Sequence, residues 1–410
     1  MKSVVLIVVA AAALLSELPQ LLPTASEPYY IATGDLNGDG YLDVAIPCRG
    51  KLLSPRNSRP ANDVLTVYLT KGSDHPMERR DFRVGFGPYT AAIGDLDGDG
   101  RADVVVANFQ ANDGRHLSIL YGSSDRNRAL EEAASLSVEG GPFAYQNGLN
   151  KSGDPVYATP GLTSVVLGDF NNDGKLDMAA VAWSSDFIVV FLNEGSRGHW
   201  KQARFPVPPG PRDIVTADFD GDGNLDLAIT LYSSNQVQVS RGDGKGGFRV
   251  WQTFYSQGNT PYHLQTADLD GDGRPDLVVG NRGPTDNVAV FRNEPGGFRM
   301  IGSYSPGTER KGETTADEIR DVLLTDWNGD GIPDLIAACH VSHKLVLWAG
   351  TGSAEYGKTF RSRETMAFPG KGPRSVKRLG KRLAVAFFDS DELGFVDVPG
   401  GGTESAAAPR

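Results

Sequence analysis

Six times along the chain the same nine-residue phrase returns, first as Asp35-Leu36-Asn37-Gly38-Asp39-Gly40-Tyr41-Leu42-Asp43 and then from Asp95, Asp169, Asp218, Asp268 and Asp326. Every copy holds Asp at position 1, Asp or Asn at 3, Asp at 5, Gly at 6 and Asp at 9. Carboxylates this close repel one another at neutral pH unless a cation sits among them, and Ca²⁺ takes about six to eight oxygen ligands. Positions 1, 3, 5 and 9 supply side-chain oxygens, and the carbonyl of position 7 is expected to join them. The candidate ligands are Asp35, Asn37, Asp39 and Asp43; Asp95, Asp97, Asp99 and Asp103; Asp169, Asn171, Asp173 and Asp177; Asp218, Asp220, Asp222 and Asp226; Asp268, Asp270, Asp272 and Asp276; and Asp326, Asn328, Asp330 and Asp334. The competing reading is an Asx-rich turn without an ion. Position 4 is Gly or Asn throughout, which predicts a left-handed residue there.

The phrases recur at intervals of 60, 74, 49, 50 and 58 residues. Around each, short β-branched runs read as strands: one before (Tyr89 to Ile93), one after (Asp103 to Ala107), a third beyond a loop (Leu117 to Tyr121) and a fourth after a Gly-rich turn such as Gly246-Gly247-Phe248. Four strands per ~50 residues is the content of a propeller blade. A seventh unit closes the chain, because Gly372-Pro373-Arg374-Ser375-Val376 matches Gly210-Pro211-Arg212-Asp213-Ile214. Its phrase is cut down to Leu379-Gly380-Lys381-Arg382, so this degenerate blade is expected to bind no metal, and no fourth strand follows it. The expected organisation is an export signal over 1–26, an all-β seven-bladed propeller with six Ca²⁺ loops over 27–398, and a disordered tail over 399–410. Two insertions, 47–64 and 122–160, interrupt the rhythm.

The export reading rests on Lys2 followed by an apolar run from Val4 to Leu15, too short to span a bilayer and suited to a signal h-region. An uncleaved membrane anchor is the alternative. The formal charge of −11 would be cancelled by six divalent cations, so the surface is not a broad acidic field. Cys48 and Cys339 occupy equivalent places in repeats one and six, which are not adjacent in a ring, so two buried thiols and no disulfide are expected.

These phrases, their strand context and the Gly-Phe turns resemble FG-GAP or VCBS repeats, the family of the integrin α-chain propeller. The resemblance covers residues 29 to 398. It implies a seven-bladed β-propeller with Ca²⁺ in the turn between the first and second strands of each blade, and it implies no particular activity. An EF-hand is excluded, because position 12 is Ile46, Val106, Ala180, Ile229, Val279 or Ala337 rather than a bidentate Glu.

Function is sought on the opposite face. Six residues before each phrase lies a ring of Tyr29, Tyr89, Thr163, Arg212, Tyr262 and Arg320, with Arg374 by alignment. Tyr faces suit sugars and Arg forks suit carboxylates, so Tyr29, Tyr89, Arg212, Tyr262, Arg320 and Arg374 are candidate ligand contacts. The competing reading has Tyr rings plugging the channel and Arg–Asp pairs bridging blades. Arg49, Phe109, Trp183, Tyr232, Arg282, His340 and His343 are expected on the same face. Gly352 to Thr359 fits a P-loop pattern but lacks a following helix, and Arg241-Gly242-Asp243 falls in an ordinary turn. Cys339, His340 and His343 read as a buried thiol beside two loop histidines. The reading is an exported, non-catalytic scaffold that binds a glycan or an extracellular or periplasmic protein. Its alternatives are a polysaccharide lyase with a basic-aromatic channel mouth and a purely structural surface protein. Nucleic acid and nucleotides are not expected partners, and the location is secreted, periplasmic or at the cell surface.

Overall fold

The structure is a computed structural model that describes residues 21–50, 62–70, 77–111, 113–131, 134–139, 159–283, 287–307 and 317–399. These residues form seven four-stranded antiparallel sheets arranged as a β-propeller. Six blades are continuous in sequence: 32–83, 88–136, 162–206, 211–255, 261–304 and 319–367. Blade four shows the pattern, with strands Pro211–Ala217, Asp226–Leu231, Gln236–Gly242 and Phe248–Tyr255. First strands of successive blades pack side by side around the axis, and Ala32–Gly34 meets Pro373–Leu379 to complete the circle. No α-helix occurs among the described residues, and none there is long and apolar enough to cross a membrane.

Sequence follows position in the blade. Second strands such as Asp103–Asn108 and Asp177–Ala182 are buried at every residue, because neighbouring blades cover both faces. They therefore read as unbroken Val/Ala/Ile runs. Fourth strands lie outermost and alternate, as in Trp200–Pro206. The core lies between blades: Leu36 at position 2 of the first phrase packs with Val104 and Leu120 of blade two.

The seventh blade is completed from the other end of the chain. Its three late strands, Pro373–Leu379, Arg382–Phe387 and Glu392–Asp397, are joined by Leu21–Pro23. Leu21 pairs with Gly394, Leu22 with Leu393 and Pro23 with Glu392. The expected absence of a fourth strand is thus corrected, and the propeller takes in Leu21–Pro23, ahead of its expected start at residue 27. The reason is physical: a sheet edge left by Glu392–Asp397 needs a partner, and Leu21–Pro23 lies beside it. Residues 1–20 of the expected signal, residue 400 onward of the expected tail and most of the two insertions lie outside the described residues.

Cys48 and Cys339 are buried thiols not joined in a disulfide, and burial pushes the Cys48 thiol up to about 12. His116 is buried in blade two, where its Nδ1 accepts the Val138 amide at 2.8 Å. Burial lowers its pKa from 6.5 to about 4. An unfolded chain takes up the proton first, so stability is present above pH 6.5 and lost as pH falls toward 4, by up to about 3 kcal/mol. Urea melts in saturating Ca²⁺ at pH 7.5 and 5 check this. His116→Gln is expected to flatten the pH slope, and an unchanged slope would refute the assignment.

Candidate functional site

Each phrase forms the turn between the first and second strands of its blade, and backbone amides fix every acidic side chain in it. In the first copy the Asp39 amide donates to Asp35 Oδ1 at 3.1 Å and to Asn37 Oδ1 at 2.9 Å, and the Gly40 amide donates to Asp35 Oδ2 at 2.8 Å. The other copies repeat this pattern. Position 4 is left-handed in all six, from Asn172 at φ 59° to Gly329 at 79°. Position 6 is left-handed as well, as at Gly40 and Gly223 (φ 88°).

Position 9 is set apart. Asp43, Asp103, Asp177, Asp226, Asp276 and Asp334 are almost fully buried. In each, Oδ2 accepts the amide of position 2 and Oδ1 accepts an amide at the end of the third strand, for example Phe219 at 2.9 Å and Gly242 at 2.8 Å on Asp226. Burial raises these carboxyls against those amide bonds, to about 7 for Asp43 and about 6 for Asp226. The spacing alone did not disclose this second task of stitching turn to sheet.

The donor set fits a hard cation. Carboxylate oxygens of Asp95, Asp97 and Asp99, of Asp218, Asp220 and Asp226, and of Asp268, Asp270 and Asp276 lie within 4.8 Å of one another. Oxygens each about 2.4 Å from one Ca²⁺ are separated by no more than about this distance. The corresponding turns of blades one, three and six hold Asn at position 3. The shortened seventh turn has no acidic residue, and Leu379 pairs directly with Arg382.

The ring on the opposite face converges, but inward. Tyr29, Tyr89, Thr163, Arg212, Tyr262, Arg320 and Arg374 are 1–8% exposed. In blades two to seven the first strand breaks register at this residue, as between Pro88 and Thr90 or Pro373 and Ser375. A bulge re-aims a side chain, here toward the axis. Tyr29 and Tyr89 share a hydroxyl hydrogen bond, and each lies 3.2 Å from the Tyr262 hydroxyl. Arg212 Nη2 donates to Tyr89 and Tyr262, and Arg374 Nη2 donates to Tyr262. Burial pushes the Tyr262 phenol up, but the guanidinium groups of Arg212, Arg320 and Arg282 outweigh it and hold the phenol below its ordinary value. Burial pushes Arg374 well below its usual range.

The expected open ligand surface at the channel mouth is thus replaced by an axial plug, because seven equivalent positions aimed at one axis meet each other. Blade-bridging falls to the residues one step on. Asp213 accepts from Ser164 at 2.7 Å and from the Leu264 amide at 3.0 Å, and Asp321 accepts from Ser375 and Val376 at 2.8 Å. His263 sits between them, 3.0 Å from Asp321 and 3.5 Å from Asp213. Around the plug, Phe109, Trp183 and Tyr232 stay half-buried. Arg49 pairs with Glu27 at 2.9 Å, Arg282 with Glu318 at 2.7 Å, and His343 Nδ1 accepts the Gly372 amide at 2.9 Å.

Comparison with known proteins agrees with this geometry. The FG-GAP-like repeat family matches residues 169–229, 218–279 and 268–337, and the FG-GAP repeat matches 87–115. The protein is an FG-GAP repeat protein. Curated relatives are integrin alpha-4 of Xenopus laevis, 29% identical over 168 residues, and integrin alpha-PS2 of Drosophila melanogaster, 28% over 178. The matches cover 39% and 40% of this chain but only 14% and 12% of those proteins. The FG-GAP propeller also superposes on solved structures of low sequence identity. A periplasmic gluconolactonase of Pseudomonas aeruginosa has TM-score 0.56 and 18% identity, covering 86% of this chain and all of that one. A virginiamycin B lyase of Staphylococcus aureus has TM-score 0.55 and 13% identity, covering 92% and 98%. At such identities the likeness concerns the fold alone.

Proposed function

We propose that the protein is an exported, calcium-stabilised propeller that acts as a non-catalytic binding scaffold for a glycan or an extracellular or periplasmic protein. Asp and Asn at positions 1, 3 and 5 of the six phrases would hold Ca²⁺, with position 9 as ligand or as the pin behind it. The ion supplies positive charge that lets these carboxylates share one turn. The seventh blade would carry none.

One observation carries the scaffold reading. The polar groups concentrated in this chain face one another: phrase side chains clasp backbone amides, and ring side chains clasp each other across the axis. A lyase of the kind considered above would need its basic and aromatic groups open to substrate, and those groups are buried. Binding is assigned to the rim outside the plug, where the Phe109 and Trp183 rings lie 5.7 Å apart and half-buried Tyr232 packs 6.3 Å from Tyr262.

The test is a glycan and extracellular-protein array probed with the Ca²⁺-loaded protein. Trp183→Ala with Tyr232→Ala is expected to weaken any captured ligand at least about tenfold, the loss typical of aromatic contacts, with the melting temperature little changed. Release of unsaturated products from uronate polymers would overturn the non-catalytic reading.

A further inference from the structure

The six phrases differ at one ligand position, and the structure shows what changes with it. Position 3 is Asp in blades two, four and five (Asp97, Asp220, Asp270) and Asn in blades one, three and six (Asn37, Asn171, Asn328). In both kinds Oδ1 does the same work, accepting the amide of position 5 at 2.9–3.1 Å in five copies and 3.2 Å in blade five. The second atom differs. It is an amide donor in Asn and a charged acceptor in Asp.

Each charged second atom meets an arginine. Arg241 Nε lies 2.8 Å from Asp220 Oδ2, Arg292 Nε 2.6 Å from Asp270 Oδ2, and Arg197 Nε 2.5 Å from Asp97 Oδ2. The partner carboxylates are only 6–13% exposed. The source of two of these arginines can be read from the repeat. The residue before the amide that caps Asp at position 9 is Arg241 in blade four and Arg292 in blade five. In the Asn-type blades the same place holds Leu69, Leu192 and Ala349. In blade two it is Tyr121, and its ring carries Arg197 from the next blade, with the guanidinium 4.4 Å from the centroid. Arg241 is braced similarly, 4.1 Å from the Trp251 ring. Basic residues at position 7 (Arg101, Lys175, Arg274) pair with position 5 in both kinds of blade, so they do not follow the exchange.

We propose that Arg197, Arg241 and Arg292 are positioning and charge-setting residues of three cation sites. Each holds the position-3 carboxylate by its outer oxygen and cancels its extra charge. A turn with four carboxylates then offers a divalent ion nearly the field of a turn with three and an Asn. This accounts for the exchange: Asp at position 3 is met by an arginine, from the same repeat place in blades four and five and from the next blade in blade two, whereas Asn goes with an apolar residue at that place in blades one, three and six. It also gives Arg241, the first residue of the Arg241-Gly242-Asp243 turn, a task within its own blade, since its guanidinium is held against Asp220. The inference rests on the reading that the phrases bind Ca²⁺.

Calorimetric titration of the full chain with Ca²⁺ tests it. In Arg197→Leu/Arg241→Leu/Arg292→Leu, three of the six sites are expected to bind about tenfold tighter, because affinity rises with uncompensated ligand charge. Adding Asp97→Asn, Asp220→Asn and Asp270→Asn converts these turns to the other kind and is expected to restore the native isotherm. Unchanged or weaker binding in the triple variant overturns the proposal, as does failure of the six-fold variant to return to native affinity. A native chain that takes up no Ca²⁺ would instead remove the underlying reading, and the two failures are told apart in the first titration. Far-UV circular dichroism confirms that the variants fold; all three arginines are 24–45% exposed.

Discussion

Chelation of divalent cations is expected to lower the melting temperature by about 20 °C at neutral pH, on the scale that relates stability to melting in large domains. A weak extracellular-type site has Kd on the order of 10⁻⁴ M, so 10 mM Ca²⁺ is about a hundredfold excess and stabilises by about 2.7 kcal/mol per site. Six such sites contribute about 16 kcal/mol, as much as the whole stability of a typical domain. The turns gather acidic side chains whose charges a bound divalent ion would neutralise together, and position 9 ties each turn to the third strand. Loosening the turn therefore loosens the blade. Calorimetric or circular-dichroism melts in EDTA and in 10 mM Ca²⁺ check this; coincident melts in decalcified buffer would remove the structural role of the ion.

A chain that starts at residue 27 is expected to lose about 5 kcal/mol relative to one that starts at Leu21, from apolar burial and hydrogen bonds of the first strand. Leu21 and Leu22 pack into the interfaces on either side of the seventh blade. The Thr24 amide bonds Asp391 O at 2.9 Å, Arg79 reaches Pro23 O at 2.9 Å, and Tyr68 donates to the same carbonyl. Urea melts of the two truncations in Ca²⁺ measure the difference, and equal midpoints would refute it. For an exported protein the corollary is that leader cleavage precedes Leu21. Mass spectrometry of the mature amino terminus reads this directly, and a folded product beginning at residue 27 would contradict it.

The propeller was legible because its period is written in side chains that cannot be exchanged. Asp at position 9 must cap two amides, and position 4 must turn left-handed, so each blade repeats them. The first strand was hidden for the opposite reason. Leu21-Leu22-Pro23 follows an apolar run and looks like its continuation, and only pairing with Glu392–Gly394 distinguishes it. The ring was seen but its direction was not. Solvent exposure at the axis depends on seven blades closing at once, which no local pattern records. The arginines that answer Asp at position 3 form no single repeat position: Arg241 and Arg292 precede the amide that caps position 9, but Arg197 comes from a different repeat and a turn of irregular length.

The plug at the axis bears on how the molecule responds to damage. In most repeat arrays a unit touches only its neighbours, so stability is a sum of local terms and the array can fray from one end. Here Tyr262 of blade five bonds Tyr29 of blade one, Tyr89 of blade two and Arg374 of blade seven, and Arg212 of blade four reaches Tyr89. These contacts cross the diameter like spokes on a hub. A disturbance in one blade is felt on the far side without passing through those between, and the wheel is set to fail as a single unit.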